Sequence, residues 1–409
     1  MVVSMTTKTV ALATLAATQL MVILDGTVVT VALPAIRDDL GFGDTSLSWV
    51  VNGFLLAFAL VLLPAGRAGD AFGTRPVFLA GLSIFTLASA WCGIAWDPIS
   101  LVLARFVQGL GGGIASAVVL GMIAGLYAEA RDRLRAFAVL AFVGSIGASV
   151  GTVLGGVLTE VASWRWAFLI NVPLGIIALV VALRAVEGTP PTGAKGGLLP
   201  RGLFAQRRFA LGNLILLTLT FGGFTFQFVT TLYLQDVLGF GALATGLAFL
   251  PVSAVIAVAS LGFSAALAER FGSERILIAG VLGFVAGMVY LVRLPETGSF
   301  PTDVLPGAVV MGLGFGLAMP QVTALAMGAL APEYAGIGSG LTTTTQQVGG
   351  FLGTLIAAGL VTTEGYGPAY ASAAIALAAG AVVAAYLLVD AGRARDPKVS
   401  ERVPEEAKL

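Results

Sequence analysis

The chain has 409 residues, of which 57% are hydrophobic and only 11% charged, with a mean hydropathy of +0.97. A soluble domain carries charge on about a quarter of its residues, so this chain cannot cover a water-facing surface, and lipid has to be its solvent. Its formal net charge of zero argues against a nucleic-acid binder, and the absence of His with a single Cys, Cys92, leaves no means for a zinc site, a disulfide or His-based catalysis.

Apolar stretches long enough to cross ~30 Å of hydrocarbon are predicted near 9–33, 46–66, 77–96, 99–128, 136–159, 166–183, 209–235, 237–268, 276–292, 304–331, 335–363 and 366–389. The first runs from Lys8 to Pro34, too long for the apolar core of a cleaved signal peptide. Turn signals such as Asp97-Pro98 and Ala331-Pro332-Glu333 separate the stretches. With both termini in the cytoplasm, every Lys and Arg falls in inner loops or tails except Arg37, Arg165 and Arg293 outside and Arg105 within a span. The opposite orientation inverts that bias, and an odd span count puts Arg393, Arg395 and Lys398 on the wrong side. The expected fold is an all-α membrane protein of twelve transmembrane helices.

The longest hydrophilic break, 184–208, divides the spans six and six. The expected organisation is an N-terminal six-helix bundle (1–186), a cytoplasmic linker (187–208), a C-terminal six-helix bundle (209–390) and a cytoplasmic tail (391–409). An internal repeat supports two pseudo-symmetric halves. GRAGDAFGTRPVFLAG (66–81) and AALAERFGSERILIAG (265–280) align at a constant offset of 199 residues, setting Phe72, Gly73, Ala80 and Gly81 opposite Phe271, Gly272, Ala279 and Gly280. Asp70 then faces Glu269, and both segments are read as loops between the second and third spans of their half. Gly109-Leu110-Gly111 is echoed by Gly312-Leu313-Gly314. Repeated halves are a transporter architecture, with the substrate site between them near the midplane.

An ionisable group at membrane depth is costly and so marks function. Asp25 and Arg105 are the central acid and base. Thr14 and Thr18 share the helical face of Asp25, and Gln108, Gly109 and Gly112 share that of Arg105. Two readings stand: a structural ion pair locking two helices, or an acid that takes up and releases a proton while Arg105 biases its affinity. Asp70 is either a solvated loop charge or a carboxylate docked on a neighbouring helix N-terminus, with Gly66 and Gly73 allowing close approach. Gly144, Gly147, Gly151 and Gly155 recur at helical spacing for close packing, a gating role remaining open. Thr18, Asn52, Gln108, Phe224, Gln227, Thr343, Gln346 and Gln347 are candidates for the substrate cavity, interhelical hydrogen bonding being the alternative.

The motifs LDGTVVTVALP (24–34), GRAGDAFGTRPVF (66–78), RFVQGLGGG (105–113), SWRWAFLINVPLG (163–175) and LYLQDVLGF (232–240) occur in the order found in drug–proton antiporters of the major facilitator superfamily, and the chain resembles the branch that usually has fourteen spans. It has Gly151-Thr152 where the fifth-span antiporter motif has Gly-Pro, Gln346 where relatives often have Arg, and no apolar run in 184–208 for the two extra spans. The resemblance implies an alternating-access exporter exchanging protons for amphiphilic small molecules. By it, Asp25 and Arg105 are coupling residues, Gly66, Asp70, Gly73 and Arg75 belong to the cytoplasmic gate, and Gly147, Gly151 and Gly155 belong to the antiporter motif. No cofactor, metal or nucleic acid is expected, only substrate, protons and membrane lipid. The expected form is a monomer in the plasma membrane of a bacterium, both termini cytoplasmic. A proton-coupled importer, a facilitator and a lipid flippase are the alternatives, and nothing in the chain suggests an enzyme.

Overall fold

The computed structural model of the protein describes residues 5–127, 129–186, 188, 191, 206–295, 297–328, 330 and 335–394. The expected linker lies mostly outside them, as do the tail from Arg395 onward and the turn at Ala331-Pro332-Glu333. Among the described residues the regular structure is helical and follows the chain as twelve rods. They are α1 (Met5–Leu40), α2 (Trp49–Phe72), α3 (Thr74–Gly93), α4 (Pro98–Leu126), α5 (Ala130–Val161) and α6 (Trp166–Ala185). After the break come α7 (Arg207–Leu232), α8 (Ala242–Phe271), α9 (Ser273–Leu291), α10 (Leu305–Gly328), α11 (Ala335–Glu364) and α12 (Tyr366–Ala394). Ten rods are long and apolar enough, over their described residues, to cross a membrane. The other two, α5 and α11, complete a set consistent with twelve spans.

Local chemistry explains the helix ends. The Asp97 carboxylate accepts from Ser100 N at 2.7 Å and Pro98 opens α4, so the dipeptide read as a turn is a helix start. Helix α1 runs past Pro34, where the sequence reading stopped it, for two more turns. Proline removes one donor, and a membrane helix tolerates that when neighbours satisfy the freed carbonyl. The segment 66–81, expected as a loop, is almost wholly helical. Helix α2 ends at Phe72, Gly73 alone makes the turn with φ 88°, and α3 begins at Thr74. Its repeat partner Gly272 does the same with φ 93°, a conformation open to glycine at no steric cost. Asp70 and Glu269 therefore sit in the last turns of α2 and α8.

The repeat extends to packing. A Cβ on Gly81 would stand 2.9 Å from Gly111 O, and one on Gly280 would stand 2.8 Å from Gly314 O. Both halves thus bring their third and fourth helices together through paired glycines, close approach being what drives association where lipid removes the hydrophobic gain. Within the first six rods α1 packs on α5, and α4 on α2 and α3; within the last six α9 packs on α10 and α12, and α7 on α11 and α12. The two sets meet chiefly where α2 lies along α11 and α5 along α8.

Candidate transport site

Arg105 and Gln108 stand one turn apart on the same face of α4, and the glycines around them let α2 and α3 close in. A Cβ on Gly109 would lie 2.9 Å from Phe54 Cα. Into this contact α1 delivers Asp25. Arg105 Nη1 donates to Asp25 Oδ2, forming an ion pair whose two side chains are 1% and 0% exposed. The same nitrogen donates to Gln108 Oε1 at 2.6 Å, and Arg105 Nε donates to Val50 O at 2.8 Å. Gln108 Nε2 donates to Asp25 Oδ1 at 2.7 Å and to Ser89 Oγ at 2.8 Å, while Asn171 Nδ2 adds a 3.2 Å bond to Asp25 Oδ1. The guanidinium lies over the rings of Phe54 and Phe168, 4.5 and 5.5 Å from their centroids. Three donors converge on the carboxylate, the arrangement an ionised acid requires. The result is a dry knot of side chains tying α1, α2, α3, α4 and α6 together.

Of the eight residues expected at the substrate cavity, six lie outside the cavity described below, and three of these are fully enclosed. Gln108 belongs to the knot because its position beside Arg105 makes it the natural bridge to Asp25. Thr18 is buried and returns its hydroxyl to Thr14 O at 2.9 Å, the local bond that lets a hydroxyl sit in an apolar helix. Asn52 is fully buried, and its amide makes no hydrogen bond among the described residues. Asn171 and Ser89, missed in the sequence, belong to the knot. Asn171 sits in the middle of SWRWAFLINVPLG, and an amide within an apolar run was the available signal.

A cavity of about 860 Å3 opens between the two sets of rods at the end that holds the α2–α3 turn. Its polar lining includes Gln19 on α1, Asp70 on α2, Ser116 on α4, and Thr343 and Gln346 on α11. Gly66 also lines it, and a Cβ there meets nothing within 4 Å, so the close approach expected at Gly66 is absent; Gly69 is the crowded position, 2.7 Å from Val118 Cγ1. The Asp70 side chain is 46% exposed in the cavity wall, 4.0 Å from Arg67. Arg75 turns away and donates to Leu183 O at 2.6 Å, satisfying the C-terminus of α6. Phe224 packs on Gly350 of α11, and Gln227 and Gln347 are half-buried outside the lining. Gly147, Gly151 and Gly155 face Leu20, Thr27 and Val28 of α1.

The opposite end is closed. Gly156 of α5 meets Ala242 and Leu243 of α8, and Trp49 of α2 meets the ring of Phe351 on α11 at 6.3 Å. Glu160 accepts from Leu243 N at 2.8 Å, Arg37 donates two bonds to Asp236 at 3.1 and 2.8 Å, and Gln235 Nε2 donates to Val31 O at 3.0 Å.

The sequence profile described as Major Facilitator Superfamily matches residues 15–354. The chain is 34% identical to the puromycin resistance protein pur8 of Streptomyces alboniger, over 83% of this chain and 79% of that one. It is 32% identical to the cephamycin export protein CmcT of Amycolatopsis lactamdurans, over 90% of this chain and 88% of that one. Among solved structures it is similar to a point mutant of the nucleoside transporter NupG, with a TM-score of 0.70 at 13% identity, covering 92% of this chain and 99% of the other.

Proposed function

Because the chain belongs to the Major Facilitator Superfamily, we propose that it is a secondary active transporter that exports small amphiphilic molecules by proton antiport through alternating access. The observation that carries this reading is the cavity open at one end only, walled by the same two helices that hold the buried ion pair. On α1, Gln19 and Ile23 face the cavity while Asp25 faces the knot; on α4, Ser116 faces the cavity and Arg105 the knot. A change in the pair therefore moves the cavity wall. Protonation of the Asp25 carboxylate cancels the charge that holds Arg105 and frees α1 to shift against α4; loss of the proton restores the clamp. A proton taken up on the outer side and released on the inner side then drives substrate the opposite way. The uncharged groups Gln19, Ser116, Thr343 and Gln346 beside Phe58 and Leu62 suit an apolar molecule bearing hydrogen-bonding groups. The resistance and export relatives support the outward direction.

In this reading the open end is cytoplasmic, as are both termini, and the membrane is the plasma membrane of a bacterium. Units 1–186 and 209–390 rock as bodies joined by 187–208, and Asp70 with Arg75 serves the inner gate. The completeness of the knot favours a second reading, in which the pair is structural only.

Asp25→Asn separates the two. Under coupling, uptake into everted vesicles driven by a pH gradient is abolished while the melting temperature stays near that of the parent. Under the structural reading, Arg105 is left buried without its charge partner and stability falls by about 3–5 kcal/mol while the remaining protein still transports. Wild-type transport with lowered stability overturns the coupling role.

A further inference from the structure

We infer that Arg37 and Asp236 form the latch that holds the far end of the transport path shut, a gate assembled from corresponding segments of the two halves; the inference rests on the alternating-access reading. Leu40-Gly41-Phe42 is echoed 198 residues later by Leu238-Gly239-Phe240, and both glycines take positive φ, Gly41 at 71° and Gly239 at 69°. The end of α1 and the turn after α7 are therefore corresponding segments of the two halves, and Arg37 and Asp236 stand in them within one position of equivalence. The first half supplies the cation and the second the acid, which close into a two-bond fork.

Backbone geometry aims the acid. Residues Tyr233–Val237 form a π-helical turn in which Leu238 N bonds to Tyr233 O at 3.1 Å. Such a turn holds one residue more than an α-turn, and one residue rotates the following side chains by about 100°. Next to the fork, Gln235 Nε2 reaches Val31 O of the first half at 3.0 Å. Asp38 accepts from Arg37 Nε at 3.3 Å, beside the two bonds that Nη1 and Nη2 give to Asp236.

Exposure separates this pair from the one in the knot. The Arg37 and Asp236 side chains are 25% and 26% exposed, whereas Arg105 and Asp25 are dry. An ion pair in reach of water exchanges its partners for solvent at little net cost, while a buried pair loses heavily when parted. A contact that must break in every cycle belongs to the first kind.

The test reads access from the outer face. Leu232 is buried at the end of α7, four residues before Asp236. In a Cys92→Ser background, Leu232→Cys is labelled with a membrane-impermeant maleimide in intact cells. Arg37→Ala and Asp236→Ala are each expected to raise the labelling rate by about two- to five-fold. Arg37→Asp combined with Asp236→Arg is expected to return it towards the parent value. Arg165→Ala breaks the 2.6 Å contact with Asp39 at the same end but within one half, and it should leave the rate unchanged. Unchanged labelling in the single variants, no recovery in the exchanged pair, or an equal rise in Arg165→Ala overturns the latch. The readout needs neither substrate nor proton gradient, so a failed antiport assay leaves it standing and its own failure leaves export standing.

Discussion

Gln108 has more hydrogen-bond partners in the buried knot than either ion: Asp25, Arg105 and Ser89 within 2.8 Å and Cys92 Sγ at 3.5 Å. Its value lies in having both a donor and an acceptor in one planar group, so that it bridges a cation and an anion together. Gln108→Leu strips one of three donors from the carboxylate and is expected to cost about 1–3 kcal/mol, read as a lower melting temperature in detergent. Gln108→Glu sets a second carboxylate against Asp25 Oδ1 in a fully buried site. It is expected to melt lower still at neutral pH and to recover as the medium is acidified, because a shared proton removes the repulsion between the two acids. Equal melting of the two variants at all pH values would contradict the bridging role. Asp25 and Arg105 were legible as the central charges because apolar runs advertise their exceptions. The role of Gln108 was not, since a glutamine one turn from an arginine looks the same whether it faces a cavity or its neighbour.

At the scale of single helices, α5 shows how one rod serves two partners. Gly147, Gly151 and Gly155 recur every fourth residue and turn towards α1, while Thr152 and Gly156 lie one position further round and meet α8 of the other half. The glycine spacing announced close packing, and the structure adds that α5 meets the backbone of α1 at Gly155 and stands off it at Gly144. A Cβ on Gly155 would stand 2.7 Å from Val28 O and 2.8 Å from Val28 Cα, whereas one on Gly144 meets only Ile23 Cδ1 at 3.6 Å. Gly155→Ala must displace backbone and is expected to cost about 1–3 kcal/mol, with reduced yield and melting temperature. Gly144→Ala asks nothing of its neighbours and should be neutral or slightly stabilising. Thermal melting of the two purified variants checks the contrast, and similar losses in both would mean that the α1–α5 contact is looser than described.

For the whole molecule, the repeat controls more than the count of helices. It reproduces the glycine turn at Gly73 and Gly272, the glycine contacts at Gly81 and Gly280, and the meeting of α1 with α7. Among the described residues it does not reproduce the buried ion pair, which exists in the first half while the second packs Phe284, Met288 and Met311 in its interior. The proposed orientation rests on the distribution of basic residues, and reporter fusions at Pro200 and after Leu409 are expected to give a cytoplasmic signal at both positions. An external signal from either would break the six-plus-six organisation.

Hydropathy and the placement of Arg and Lys were sufficient for the class and the approximate helices, and the family was legible only through the resemblance of five motifs. These are properties of residues taken singly or at fixed spacing, and the solvent decides them: a run of about 20 apolar residues has few alternatives to spanning lipid. Several matters lay beyond that reading. Asp70 stands in a helix because glycine makes the α2–α3 turn in a single residue, and Arg75 caps α6 because α3 and α6 are neighbours. Asn171 joins Asp25 from 146 residues away, and Arg37 meets Asp236 from 199. Such contacts depend on which faces of distant helices are brought together. That is decided by the packing of all the rods at once, so no local pattern in the chain contains it.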